Sequence, residues 1–452
     1  MELQKVRNKI LKQNRIQFFI SGSKKIYLYD AFSQNIYSIP ESVMKFFNNP
    51  NNEIELNNPS KTEIEELCNH LLQWSGSIKE TSTDECHVTI NLSNKCNLNC
   101  SYCYRNKRNK SSLDIEQVKS ILSYARKKYM PEAHELVCSM CLTSEPTLEI
   151  KKLKEIKDVF PGFEDENCFL TMWFMSNGTV ITDDAIQLIK QAKISPFWIS
   201  LDGPESIHNK HRFYENGKGS HKDVLENIEK LKQNGIKVRI SCVLTRDYLK
   251  PHKLLEYFNT LGIDSIQMTP VRNGLDESLK KEDVDILKAS YKEIFNELYI
   301  NISNNDFSNV RILRDDIIMS TFLNLFKRTK QVYRCTWGQE IVIDSEGDMY
   351  PCLYVIDDKR FSLGNIKDGK NASEILVPIS VNNRELCAKC WARFLCGGTC
   401  HYNSIVNGFT ENGTDEIECN IRKFIITESI ELMIKLIENG ADFKGFIEVL
   451  MK

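Results

Sequence analysis

The placement of cysteine constrains this chain more than any other feature. Three cysteines fall within eight residues, Cys96-Asn-Leu-Asn-Cys100-Ser-Tyr-Cys103, and seven more crowd the C-terminal part: Cys335, Cys352, Cys387, Cys390, Cys396, Cys400 and Cys419. The other six of the 16 (Cys68, Cys86, Cys138, Cys141, Cys168 and Cys242) are scattered, mostly in apolar runs, where a free cysteine behaves as a small buried hydrophobe. Cys138 and Cys141 form a C-x2-C, but in a strand residues three apart point to opposite faces, which argues against a shared metal. A chain of 452 residues buries a large core without disulfides, so the clustered thiols point to metal binding or catalysis.

Charge and hydropathy exclude several classes. The 59 Lys+Arg balance 61 Asp+Glu at a net charge of −2, which gives no electrostatic footprint for nucleic acid or an anionic membrane. No run of 18 apolar residues exists, so no bilayer span is expected. The N-terminal MELQKVRNKILKQNR is basic but lacks the apolar segment of a signal peptide. The expectation is a cytoplasmic protein with no nucleic-acid or membrane partner, and a length prior of about three domains.

Along the chain the rhythm changes near residue 86. Before it, alternating stretches at Ile16–Ile20, Ile26–Asp30 and Asn35–Ile39 predict short strands, and Pro40 opens a helix through Phe47. Ile64, Leu67, Cys68, Leu71 and Leu72 lie at helical spacing in Lys61–Trp74. From His87 strands and helices alternate. Strands are predicted at His87–Leu92, Glu135–Leu142, Phe169–Met175, Phe197–Leu201, Lys237–Val243 and Ser265–Thr269. Helices are predicted at Ile115–Tyr129, Lys151–Val159, Asp183–Ala192, Lys222–Gln233, His252–Thr260 and Glu282–Tyr299. This is an α/β pattern of six β/α repeats, implying a parallel sheet, open or curled into a partial barrel, with functional residues at the C-terminal strand ends. Residues 311–334 read as a helical bridge, the cysteine-rich region has little periodicity, and the tail after Cys419 reads as a closing helix.

C-x3-C-x2-C after a strand offers three thiolates, which suits an iron–sulfur cluster; a structural zinc site would want four closed ligands. Cys96, Cys100 and Cys103, with Tyr104 following, match the signature of the radical S-adenosylmethionine (SAM) superfamily, which the chain resembles. The resemblance implies a (β/α)6 partial barrel and a four-iron cluster whose open iron chelates SAM. One-electron cleavage would then give a 5′-deoxyadenosyl radical that abstracts a substrate hydrogen.

The second set, Cys335-x11-Gly347-x4-Cys352, then Cys387-x2-Cys390-x5-Cys396-x3-Cys400, then Cys419, resembles the seven-cysteine spacing of the SPASM domain at every interval. That resemblance implies two auxiliary four-iron clusters, so three 4Fe–4S clusters with the SAM-binding one. By family pattern Cys387, Cys390, Cys396 and Cys419 hold the outer cluster, and Cys335, Cys352 and Cys400 the inner. Seven cysteines divide as four and three, which leaves an open inner iron able to bind a substrate thiolate.

Relatives carry Gly-Gly-Glu-Pro after the second strand, contacting the SAM amino group; this chain has Thr143-Ser144-Glu145-Pro146. Ser176-Asn177-Gly178 and Ser200-Leu201-Asp202-Gly203 resemble the family's ribose and amino-acid contacts. The implied SAM-binding residues are Tyr104, Glu145, Pro146, Ser176, Asn177, Ser200 and Asp202, with Cys96, Cys100 and Cys103 both metal ligands and catalytic. Residues 1–85 resemble the winged-helix module that recognises leader peptides by adding a strand to a sheet edge. The expected organisation is that module at 1–85, the barrel at 86–310, the bridge at 311–334 and the SPASM domain at 335–452.

The resemblances imply a maturase of a ribosomally made precursor peptide carrying a leader, served by a flavodoxin or ferredoxin electron donor. The open inner iron favours a Cys thioether; carbon–carbon crosslinking is the nearest alternative. Anaerobic sulfatase-maturing enzymes are a further alternative, but they place an aspartate base directly after the second SPASM cysteine, where this chain has Leu353. A non-catalytic iron–sulfur protein is the remaining one.

Overall fold

The computed structural model describes residues 3–48, 58–73, 85–103, 112–140, 144–271, 274, 276–356, 358–408 and 410–451. It divides into two compact units. One comprises residues 1–80, 284–335 and 380–452, the other residues 81–283 and 336–379.

In the first unit the three N-terminal strands form where their alternation places them: β1 (Ile16–Ile20), β2 (Ile26–Asp30) and β3 (Asn35–Ile39), an antiparallel sheet in the order β1-β2-β3. A helix Leu3–Lys12, missed in the sequence, precedes them, and helices Glu41–Asn48 and Asn58–Gln73 follow. Both faces of this small sheet are covered. Leu28 and Ile39 join Ile10, Val43, Phe47 and Leu71 in one apolar cluster. Phe19, Tyr27 and Tyr29 join Val381, Phe394, Ile426 and Ile430 in another, where Trp391 packs edge-on against Phe19 and Tyr29. The N-terminal sheet is thus packed on the segment that carries Cys387–Cys396. A buried ion pair pins it: Arg15 Nε and Nη2 bind the Asp30 carboxylate at 2.5 and 2.8 Å. Phe32 lies under the Arg15 guanidinium at 4.3 Å and the Arg393 guanidinium at 4.9 Å. The chain closes with two helices, Glu416–Glu438 and Phe443–Met451, in place of the single closing helix expected.

The second unit bears out all six strands and the first five helices between them; the sixth helix forms as Asp283–Ser303 and belongs, from Val284, to the first unit. The parallel strands of the second unit are β4 (Glu85–Ile90), β5 (Glu135–Met140), β6 (Phe169–Trp173), β7 (Phe197–Ser200), β8 (Val238–Leu244) and β9 (Ser265–Pro270). β4, β5 and β6 pair in sequence order, as do β7, β8 and β9. The parallel bridge Ser176↔Ile199 links the two sets. Part of the cysteine-rich region joins this sheet: β10 (Ile341–Ile343) pairs parallel to β4, then β11 (Asp348–Tyr350) and β12 (Gly364–Asn365) follow antiparallel. Aperiodic sequence hid this because β10 is three residues long and buried on both faces.

Burial alternates along these strands. Phe197 and Ile199 on β7, and Val238, Ile240, Cys242 and Leu244 on β8, are buried. That face meets the helices: a Cβ built on Gly178 would touch both Ile199 and Val224 of the helix His221–Gln233. The opposite face carries half-buried Trp173, Trp198, Ser200, Arg239, Ser241 and Gln267. The scattered Cys68, Cys86, Cys138, Cys168 and Cys242 are buried, as expected; Cys141 lies outside the described residues.

Candidate active site

Cys96, Cys100 and Cys103 lie on the loop after β4, at the C-terminal end of the parallel strands. The loop runs beside residues 211–214: Leu98 bridges Tyr214, Asn99 N donates to the Phe213 carbonyl at 2.7 Å, and Ser101 N donates to that of His211 at 2.9 Å. The intervening side chains bond residues from the neighbouring loops. Ser101 Oγ lies 2.8 Å from His211 Nδ1, and His211 Nε2 lies 3.1 Å from both oxygens of Asp247. Tyr102 donates its hydroxyl to Asp202 and receives Arg212 Nη1 at 3.0 Å. Tyr102, His211, Arg212 and Asp247 were not singled out in the sequence. The available signal was four titratable residues in five, His208-Asn209-Lys210-His211-Arg212, at the end of a helix (Glu205–His211) with no apolar stripe.

The residues expected to contact SAM form a second network. Glu145 is 1 % exposed. Its Oε1 accepts from Ser176 Oγ (2.8 Å), Thr147 Oγ1 (2.6 Å) and Thr147 N (3.1 Å), and its Oε2 from Asn177 N (2.6 Å). Its own N–H donates to the Lys95 carbonyl at 2.8 Å. Glu145 therefore ties three loops together, its carboxylate joining those after β5 and β6 and its backbone N–H reaching the one after β4. Burial pushes its pKa up, and the four donors oppose that shift. Asn177 donates to Asn97 Oδ1 at 2.9 Å and to Cys96 Sγ at 3.9 Å. Asp202 takes Val243 N at 3.0 Å in addition to Tyr102. Burial raises its pKa, against the Arg212 charge and the Tyr102 hydrogen bond. Pro146 is buried, and Ser200 is half-buried on the polar face of β7. Ser144, which replaces a glycine of the family pattern, has a buried hydroxyl with no hydrogen-bond partner among the described residues. Tyr104 and Thr143 lie outside the described residues.

Deeper in the same polar face, the Arg239 guanidinium carbon lies over the Trp198 ring at 3.6 Å, and Trp198 meets Trp173 edge-on at 5.3 Å. Trp198 and Ser200 are two positions apart on β7, so this stack sits one side-chain layer below Ser200.

In the first unit, Cys387, Cys390 and Cys396 lie close enough to Cys419 that all three push its pKa up. For Cys419 burial comes first, then Lys423 opposes it and the other three thiols reinforce it, to about 11. Cys387 and Cys390 are likewise pushed up by burial, against Arg384 in one case and Lys423 and Arg393 in the other. Arg422 Nε donates to Cys396 Sγ at 3.2 Å. Cys335 is exposed, Cys352 half-buried and Cys400 buried.

No three His, Cys, Asp or Glu side chains among the described residues converge as they would around one metal ion. A four-iron cluster asks for something else: thiolates spread around a cube, with N–H donors to their sulfurs. The Asn177–Cys96 and Arg422–Cys396 contacts supply such donors, and the cations near the four outer thiols suit an anionic group, so the donor chemistry fits.

Comparison with known proteins agrees. The radical SAM superfamily model matches residues 90–261. The cysteine-type anaerobic sulfatase-maturating enzyme of Clostridium novyi (strain NT) is 25% identical over 356 residues, 75% of this chain and 93% of that protein. The anSMEcpe structure with bound AdoMet superposes with a TM-score of 0.64 at 21% identity, covering 81% of this chain and 98% of that one. Streptococcus suis SuiB bound to precursor peptide SuiA superposes at 0.53 and 15% identity, covering 89% and 98%. Among the described residues no helix is long and apolar enough to cross a membrane. Residues 90–261 thus match the radical SAM superfamily, and the chain is an enzyme similar over most of its length to sulfatase-maturating enzymes, with a fold shared with the SuiB–SuiA complex.

Proposed function

We propose that this enzyme oxidatively modifies a peptide or protein by SAM radical chemistry, and that the modification is a carbon–carbon crosslink in a ribosomally made precursor peptide. The observation that carries the peptide-modifying reading is the Cys96–Cys103 loop fastened at the strand ends above a polar inner face. A four-iron cluster held by Cys96, Cys100 and Cys103 would supply the electron that cleaves SAM. Around it the chain's own groups do defined work. Tyr102, Asp202 and Arg212 fix the loop, Glu145 sets the three strand-end loops against one another, and the half-buried Ser200 and the Trp198–Arg239 stack face the reactants. We assign Cys387, Cys390, Cys396 and Cys419 to an outer auxiliary cluster and Cys335, Cys352 and Cys400 to an inner one. Residues 1–85 are read as the leader-recognising module, 86–310 as the barrel, 311–334 as the bridge and 335–452 as the SPASM domain.

The sulfatase-maturating relatives favour a sulfatase-type oxidation over the thioether chemistry that an open inner iron alone would favour. Formylglycine formation remains the second reading, favoured by the sulfatase-maturating relatives. Against it, position 353 is a leucine packed with Val342, Tyr350 and Ile356, which cannot take the proton an aspartate base would. The N-terminal sheet supports a leader-bearing substrate, because among the described residues β1 and β3 each keep one unpaired edge.

The test is anaerobic incubation of the reduced, reconstituted enzyme with SAM and the short peptides encoded beside its gene. Loss of two hydrogens with every cysteine still alkylatable and two residues joined in fragmentation supports the crosslink. A blocked cysteine would point to thioether, and conversion of one cysteine to an aldehyde to formylglycine. Absence of 5′-deoxyadenosine with every peptide would overturn the enzyme's assigned chemistry.

A further inference from the structure

His208, on the helix Glu205–His211, is fully buried. The backbone N–H of Asp202 donates to its Nδ1 at 3.2 Å. A backbone amide can only donate, so Nδ1 is the bare nitrogen and the proton of the neutral ring sits on Nε2. Nε2 therefore donates to Ser220 Oγ at 2.9 Å, and Ser220 Oγ donates to the Arg212 carbonyl at 2.9 Å. Ser220 stands at the N-cap of the helix His221–Gln233 yet makes no capping bond. A serine there ordinarily accepts from a backbone N–H inside its helix; this hydroxyl is taken up by His208 and Arg212 instead. His221 packs edge-on against the His208 ring at 5.6 Å, and its own Nε2 lies 2.8 Å from the Tyr257 hydroxyl.

These bonds close a ring through the Cys96–Cys103 loop. Asp202 and Arg212 meet again at Tyr102, which donates its hydroxyl to the Asp202 carboxylate and receives Arg212 Nη1 at 3.0 Å. In order round the ring, Tyr102, Asp202, His208, Ser220 and Arg212 each bond the next, and all but Tyr102 are buried. Tyr102 lies between Cys100 and Cys103. His208 thus braces, from their backbone side, the two charged residues that grip the loop.

Resting on the SAM reading above, we infer that His208 is a positioning residue for that chemistry: its imidazole fixes Asp202 and Arg212 at the separation that holds Tyr102, and with it the loop, in the form that binds SAM. The part calls for a neutral imidazole, which carries one acceptor and one donor on a rigid ring. Leucine supplies neither. Asparagine, whose amide oxygen falls where Nδ1 lies, keeps the acceptor for Asp202 and loses the reach to Ser220.

The experiment is a SAM titration of the reduced, reconstituted full-length enzyme followed by electron paramagnetic resonance. The difference between spectra with and without SAM isolates the cluster that responds to it. His208→Leu is expected to raise the SAM concentration at half-change by about tenfold, the order set by stranding one buried donor, with iron content per chain unchanged. His208→Asn and Ser220→Ala open the ring on the Arg212 side alone and are expected to fall between, at about threefold. They decide the matter should His208→Leu lose iron. A purely structural His208 would lower the urea midpoint in these variants and leave the half-change at the wild-type concentration, and that result overturns the inference. Wild-type spectra that do not change with SAM refute the underlying SAM reading itself, before any variant is compared.

Discussion

Replacing Glu145 by glutamine tests whether this carboxylate acts by organising loops. The carboxylate takes three donors on Oε1 and one on Oε2, all from Thr147, Ser176 and Asn177. An amide keeps one acceptor oxygen and turns the other position into a donor. If the NH2 takes the Oε2 position, it faces Asn177 N and leaves a buried donor without an acceptor, at a cost of about 1–3 kcal/mol. If it takes the Oε1 position, the two hydroxyls rotate to accept and only Thr147 N is stranded. That is the cheaper arrangement, but it still forfeits charge-assisted bonds each worth about 1.5–3 kcal/mol. Relief from desolvating the carboxylate, whose burial already raises its pKa, offsets part of this. The net is about 2 kcal/mol of local stability, or roughly a 30-fold loss of hydrogen-exchange protection at the Asn177 and Thr179 amides. SAM affinity, measured by equilibrium dialysis on the anaerobic enzyme, should fall by a similar factor, because the same turn is loosened. Weaker SAM binding with exchange at Asn177 and Thr179 unchanged would refute this reasoning and make Glu145 a direct SAM contact.

Three further outcomes follow from the packing. Gly178→Ala places a Cβ 2.8 Å from Ile199 Cγ2 at a backbone φ of +78°; left-handed strain plus overpacking costs about 2–4 kcal/mol, read as a lowered urea midpoint. Arg15→Ala leaves Asp30 charged in a fully buried site and destabilises by about 3–5 kcal/mol, whereas Arg15→Met with Asp30→Leu should recover most of it, as chemical denaturation of both variants will show. His208 and His401 are buried and neutral, with pKa values pushed down, chiefly by burial, to about 2 and about 4. The unfolded chain binds protons at both below about pH 6.5 while the folded one does not, so stability falls on acidification from 6.5 to 5. Each histidine contributes about 1.4 kcal/mol per pH unit to the slope; His401→Asn should therefore roughly halve it.

The strands were legible because each presents one buried apolar face, and the ends of β1, β2 and β3 fall at the turn residues that bound them. The cysteine spacing was legible for a chemical reason, since few side chains serve a cluster. What stayed hidden is held by polar bonds with no period. The helix Glu205–His211 buries His208 and His211 for their hydrogen bonds, to Ser220 and Asp202 N in one case and to Ser101 and Asp247 in the other. Arg212 bears on the site only because the chain folds back to set residues 211–214 beside 98–101. The helix Leu3–Lys12 escaped notice because only Arg7 and Ile10 of its ten residues are buried.

The same contrast shows how the outer thiol loops are shaped. Cys387–Cys400 spans only short helices, too little regular structure to fix four sulfurs by apolar packing alone. Buried arginines do part of that work. Arg384 donates to the Thr399 carbonyl at 2.7 Å, to Thr399 Oγ1 at 3.0 Å and to the Gly413 carbonyl. Arg393 reaches the carbonyls of Ala388, Cys390 and Gln13. None of these bonds uses a thiol, so they hold whatever the sulfurs bind. A zinc finger, by contrast, gets its fold from the metal. Here the arginines set the loops first and, by the same charge, favour an anionic group among the four thiols. Arg384 and Arg393 thus shape these loops through bonds that leave no spacing for the sequence to display.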